Sequence, residues 1–143
     1  MEQFVEHADF LAVGTNDLAH CTLAVDRGNG RRSADPLDPA VLFLLDRIIS
    51  ASTGAGVPCS MCGDMVADPV GLGLALGLGY REISVPVSVV PLARAVVRHI
   101  DLRTAEAVAR DALRCDSARA VRSLVERRLS ASLSVLWRKP SLV

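Results

Sequence analysis

The chain has 143 residues, half of them hydrophobic, and a formal net charge of zero. That is enough for one domain with a core, too apolar for a disordered segment, and too balanced in charge to bind nucleic acid by bulk electrostatics. The longest apolar run, around Val70 to Leu78, is broken by glycines and falls far short of the ~20 residues of a membrane span. The first residues are acidic and lack the basic region of a secretion signal. The four cysteines are therefore expected as reduced thiols, in a cytoplasmic protein.

Residues 1–7 read as the end of a helix. Phe10-Leu11-Ala12-Val13, stopped by Gly14, reads as a buried strand of a parallel sheet, with polar Thr15, Asn16 and Asp17 just past its end. Asp26 to Asp38 reads as a long loop. Asp38-Pro39 starts a helix, with Asp as N-cap and Pro in the first turn. Its apolar face is Val41, Leu44, Leu45 and Ile48, and Gly54 and Gly56 stop it. Val57 to Cys62 is the second strand, and Asp68-Pro69 repeats the helix start. Glu82 to Val85 is the third strand, followed by a helix over about 90–99. Three strand–helix alternations predict an α/β fold with parallel strands. Beyond Asp101 the pattern is helical only. Leu102, Ala105, Val108, Ala109 and Ala112 share a face, and Asp116-Ser117 caps a last helix carrying Val121, Leu124, Val125 and Leu129. Residues 130–143 read as a tail.

Polar residues gather at the C-terminal ends of the strands: Thr15, Asn16 and Asp17 after the first, Cys62 and Asp64 after the second. In parallel α/β folds ligands bind at this edge. Asp17 is a hard oxygen ligand suited to Mg²⁺, and Arg27 has the planar fork that holds a phosphate. Alternatively, Thr15-Asn16-Asp17 is a turn that caps a helix. Cys59-x-x-Cys62 has the spacing of half a zinc site or a redox pair. However, it lies in a strand, where the two thiols point to opposite faces, and plain core packing suits Cys59. The stripe Gly71-x-Gly73-x-x-x-Gly77 falls inside a helix rather than before one. Close helix–sheet packing explains it better than a dinucleotide loop. Charge is unevenly divided, −6 up to Asp68 and +6 after it, and arginine makes up almost all of the basic side. The arginines from Arg94 onward read as a solvated helix face.

The segment Asp9-Phe10-Leu11-Ala12-Val13-Gly14-Thr15-Asn16-Asp17-Leu18, continuing through Thr22 to Val25 into Asp26-Arg27-Gly28-Asn29, resembles a signature of the phosphoenolpyruvate-utilising enzymes. Its ending is more similar to Enzyme I, the phosphoenolpyruvate–protein phosphotransferase of the bacterial sugar phosphotransferase system, than to pyruvate phosphate dikinase. Asp35 to Val41, Met61-Cys62-Gly63-Asp64-Met65, and Gly77-Leu78-Gly79 leading to Val85 resemble further family segments in the same order, over about residues 1–129. Ala12, His20, Ser60 and Asp64 stand where the family prefers serine, glutamine, glycine and glutamate.

The resemblance implies the last three strand–helix units of a phosphoenolpyruvate-binding (β/α)8 TIM barrel. Residues 1–100 would belong to the barrel, 101–129 would be terminal helices of the same domain, and 130–143 the tail. It implies Asp17 as a magnesium ligand, Asn16 and Arg27 as phosphoryl-group contacts, and Cys62 as the residue that moves a proton at the methylene carbon. The phosphohistidine domain, which meets the phosphocarrier protein, and the rest of the site would lie upstream. The chain would then be a C-terminal fragment of a phosphotransferase or, alternatively, a non-catalytic remnant or interaction module that complements a separate N-terminal chain. A zinc-binding module is a third reading. Three strands cannot close a barrel. An exposed apolar inner face and two unpaired sheet edges are thus expected, and with them self-association.

Overall fold

A computed structural model describes residues 1–25 and 34–130. Three strands, β1 (Leu11–Gly14), β2 (Cys59–Cys62) and β3 (Glu82–Ser84), form one parallel sheet in the order β1-β2-β3. Val13 is level with Met61 and Ile83, and Gly14 with Cys62 and Ser84. The helices are α1 (Glu2–Val5), α2 (Thr15–Leu23), α3 (Pro39–Ala55), α4 (Asp64–Ala67), α5 (Pro69–Leu78), α6 (Val90–His99), α7 (Leu102–Ala112) and α8 (Ala118–Arg128). The α/β class and the sequential parallel order agree with the sequence reading. Among the described residues no helix is long and apolar enough to cross a membrane.

Side-chain caps start four of the helices. The Asp38 carboxylate accepts from the Ala40 N–H at 2.9 Å, and Asp68 accepts from the Val70 N–H at 3.4 Å, with a proline in the first turn each time. Asp101 caps α7 by accepting from the Thr104 N–H at 2.8 Å, and Ser117 caps α8 by accepting from the Ala120 N–H at 3.3 Å. The other oxygen of Asp68 accepts from Arg122 of α8 at 2.8 Å, so one carboxylate both starts α5 and ties down α8.

The core lies between the sheet and the helical layer. Residues 70–76 of α5 are buried without interruption, as expected of a helix that is apolar all round. Helix α5 packs along α7, with α4, α6 and α8 also against it. Its glycines make room for helices rather than for the sheet, which corrects the sequence reading. A Cβ on Gly71 would lie 2.1 Å from the Met65 carbonyl oxygen of α4, and one on Gly77 would lie 2.3 Å from that of Ala105 in α7. The partner faces of α7 and α8 are those expected, with one exception: Leu102, the first residue of α7, is 40% exposed. Tyr80 is fully buried, and its hydroxyl donates to the Leu45 carbonyl at 2.9 Å, joining the end of α5 to α3.

The two sheet faces differ. Leu11, Val13, Cys59, Met61 and Ile83 join the core, whereas Ala12, Gly14, Ser60, Cys62, Glu82 and Ser84 occupy the other face. The expected apolar inner face is therefore absent among the described residues. The alternate positions are small or polar, so this face does not repel water. Arg27 and the rest of the loop 26–33, together with tail residues 131–143, lie outside the described residues.

Candidate functional site

Because β1 and β2 are in register, they end level with each other, and the two segments that follow them meet. Strand β1 passes directly into α2 at Gly14, so Thr15, Asn16 and Asp17 form the first turn of a helix. Strand β2 ends at Cys62. Gly63 then turns the chain into α4, whose first residue is Asp64.

Three hydrogen bonds lock the two segments together. The Thr15 hydroxyl, fully buried, donates to the Cys62 carbonyl at 3.1 Å. The Asn16 Nδ2 donates to the Asp64 carboxylate at 3.0 Å, and the Asp64 backbone N–H donates to the Asn16 Oδ1 at 2.9 Å. Gly63 permits this approach. Its φ of 117° suits glycine, and a Cβ there would lie 2.2 Å from the Thr15 hydroxyl oxygen. Behind Asn16, the His20 Nδ1 lies 2.7 Å from the Asn16 carbonyl oxygen. A carbonyl only accepts, so Nδ1 carries the proton.

Asp17 and Cys62 share this rim. The Asp17 Oδ2 lies 3.8 Å from where a Cβ on Gly14 would stand, and Gly14 is the register partner of Cys62. The carboxylate thus lies over the sheet face to which the Cys62 side chain belongs. Cys62 is exposed, whereas Cys59 is buried on the opposite face. Burial pushes the Cys59 thiol above its usual range, against a lowering hydrogen bond with Ser52. All four cysteines are free thiols. Among the described residues no three His, Cys, Asp or Glu side chains gather to hold a metal ion, so Cys59 and Cys62 do not form part of a zinc cluster there.

The structure therefore brings Asn16, Asp17 and Cys62 to one rim, and Arg27 lies outside the described residues. The sequence reading placed Asp64 at this edge but did not identify it as the partner of Asn16. The available signal was register: Asn16 and Asp64 each lie two residues beyond paired strand ends.

Known proteins resemble this chain over most of its length. The family profile described as "PEP-utilising enzyme, PEP-binding domain" matches residues 1–102. A phosphoenolpyruvate-protein phosphotransferase of Haloferax volcanii is 40% identical over 118 residues, which cover 81% of this chain and 21% of that protein. A multiphosphoryl transfer protein of Rhodobacter capsulatus is 39% identical over 124 residues, 85% of this chain and 15% of that protein. A phosphoenolpyruvate-protein phosphotransferase of Listeria monocytogenes is 37% identical over 128 residues, 88% of this chain and 22% of that protein. The matched segment thus spans about a fifth or less of each of these relatives.

Proposed function

The chain belongs to the family of phosphoenolpyruvate-utilising enzymes, and from that premise we propose that it supplies part of the substrate site of a phosphoenolpyruvate–protein phosphotransferase. In this reading β1, β2 and β3 are the last three strands of a (β/α)8 barrel. Their C-terminal rim is the substrate rim, and α7 and α8 complete the same domain. The outer edges of β1 and β3, which pair with no strand among the described residues, pair with further strands of that barrel, or with a second copy of the chain when no other strand is present.

The chemistry follows from the rim. The bond between phosphorus and the enol oxygen breaks, and the phosphoryl group passes to a histidine nitrogen outside these residues, then to a phosphocarrier protein. Asn16 offers an N–H to a phosphoryl oxygen, and Arg27 adds a guanidinium. The enolate left behind takes a proton on its methylene carbon from the Cys62 thiol, giving pyruvate, and the thiolate recovers a proton from water.

The donor chemistry also fits Mg²⁺. Magnesium sites commonly use one or two carboxylates together with water and substrate phosphate, and Asp17 is a carboxylate at the rim. Asp17 would hold the ion, which when bound offsets phosphoryl charge.

The observation that carries this reading is the joining of the Thr15–Asp17 turn to Cys62 and Asp64 across 47 and 48 residues of sequence. Thermal melting of the chain with phosphoenolpyruvate and Mg²⁺ tests it. A ligand present at ten times its Kd adds about 1.4 kcal/mol of stability, so Tm rises by several degrees, and Asp17→Asn abolishes the rise. A folded native chain whose Tm ignores the ligand contradicts the reading.

A further inference from the structure

The geometry points to Asp64 as the positioning residue of the rim: it fixes the Asn16 side-chain amide so that Asn16 faces a ligand as a donor. The ligand part of this inference rests on the substrate reading above. The amide of an asparagine has two ends of similar shape, and its partners decide which end faces where. Both partners here belong to Asp64, and both enforce one orientation. The Asp64 backbone N–H can only donate, so it must meet Oδ1, at 2.9 Å. The Asp64 carboxylate oxygen accepts, so it meets Nδ2, at 3.0 Å. A flipped amide would set donor against donor and acceptor against acceptor. The Asn16 oxygen is thereby engaged, along with one of its two amide hydrogens. The second hydrogen has no acceptor among the described residues, and it is the group that an anionic oxygen would meet.

Asp64 can act this way because its own place is fixed. Gly63 lies against Thr15 so closely that no Cβ fits, and the Thr15 hydroxyl holds the Cys62 carbonyl. The proton-carrying thiol and the phosphoryl-facing amide are thus set by one clasp, with Asp64 at its end. Asp64→Ala keeps the backbone donor and loses the carboxylate. Asp64→Asn keeps an acceptor of the same length and should restore the clasp.

The test is a ¹⁵N–¹H spectrum of the 143-residue chain, in which Gln3, Asn16 and Asn29 supply the only side-chain NH₂ pairs. In the native chain the two Asn16 hydrogens should be well separated, and titration with phosphoenolpyruvate and Mg²⁺ should move the pair. In Asp64→Ala, with the rest of the spectrum still dispersed, the pair should collapse toward free-amide positions. The half-saturating concentration should rise about tenfold, the loss expected when a hydrogen bond to a charged group no longer orients the donor. Asp64→Asn should recover both. An Asn16 pair unchanged in Asp64→Ala overturns the inference whether or not the ligand binds. An Asn16 pair that depends on Asp64 but never responds to phosphoenolpyruvate leaves the clasp standing and overturns the substrate reading instead.

Discussion

One substitution, glycine to alanine, should change stability with different signs at three helical positions. At Gly54, in the last turn of α3, nothing lies within 4 Å of the new methyl group. The gain is then the helix-propensity difference, about 0.5–1 kcal/mol. At Gly73 the methyl would meet the Leu129 Cδ1 at 3.0 Å and the Ile100 Cδ1 at 3.2 Å. Both are ends of side chains that can swing, so gain and crowding roughly cancel. At Gly77 it would lie 2.3 Å from the Ala105 oxygen, 2.7 Å from the Ala105 carbonyl carbon and 3.0 Å from the Ala109 Cβ. These atoms belong to α7, which must move bodily and take Val108 and Ala112 out of register with the core. Overpacking of that kind costs about 3 kcal/mol at the upper end of its usual range. Subtracting the propensity gain of about 1 kcal/mol leaves a net loss of about 2 kcal/mol. For a chain of this size, 1 kcal/mol is worth about 3–4 °C in Tm. Gly77→Ala should therefore melt about 6–8 °C below the native chain, Gly54→Ala a few degrees above it, and Gly73→Ala close to it. Circular dichroism melts of the four proteins are sufficient. A Gly77→Ala chain at or above the native Tm would refute the close contact between α5 and α7.

Two further expectations concern single side chains. With iodoacetamide at neutral pH, mass mapping should show Cys62 and Cys21 alkylated well before Cys59, because Cys59 is buried and its thiol is pushed up by that burial. Equal protection of Cys59 and Cys62 would remove Cys62 from the rim. Tyr80, the sole tyrosine, is held far above the ordinary phenol range, first by burial and then by the charges of Cys59 and Asp46. A raised folded value means that stability is full below the unfolded value near ~10 and declines as pH rises above it. Absorbance at the phenolate band should therefore grow only as the fold is lost, and Tyr80→Phe should flatten the alkaline decline. Ionisation near pH ~10 with the fold intact would contradict the burial.

Local physics made much of the fold legible. Asp38-Pro39 and Asp68-Pro69 carry their helix starts in two residues, and Gly14 and Gly63 mark the ends of the first two strands. What escaped depends on distant partners. Thr15-Asn16-Asp17 has weak helix propensity, and its turn is held by Cys62 and Asp64, which come 47 and 48 residues later. The α5 glycines read as a packing stripe, but their principal partner, α7, begins 24 residues after α5 ends, and nothing local names it. The open sheet face was expected to be apolar by analogy with a filled barrel. The alternate residues Ala12, Ser60, Glu82, Gly14, Cys62 and Ser84 already carried the correction, once register set them side by side. That Asn16, Asp17 and Cys62 share one rim was legible from their place at strand ends, whereas the contact of Asp64 with Asn16 needed the structure.

The most direct test of the account is a chimera in which the matched segment of this chain replaces its counterpart in the Haloferax volcanii phosphoenolpyruvate-protein phosphotransferase, which is 40% identical to it. The account predicts Mg²⁺-dependent release of pyruvate from phosphoenolpyruvate by the chimera, and loss of that release in Cys62→Ala and Asp17→Asn chimeras that still fold. A folded chimera that releases no pyruvate, or a Cys62→Ala chimera as active as its parent, would contradict it.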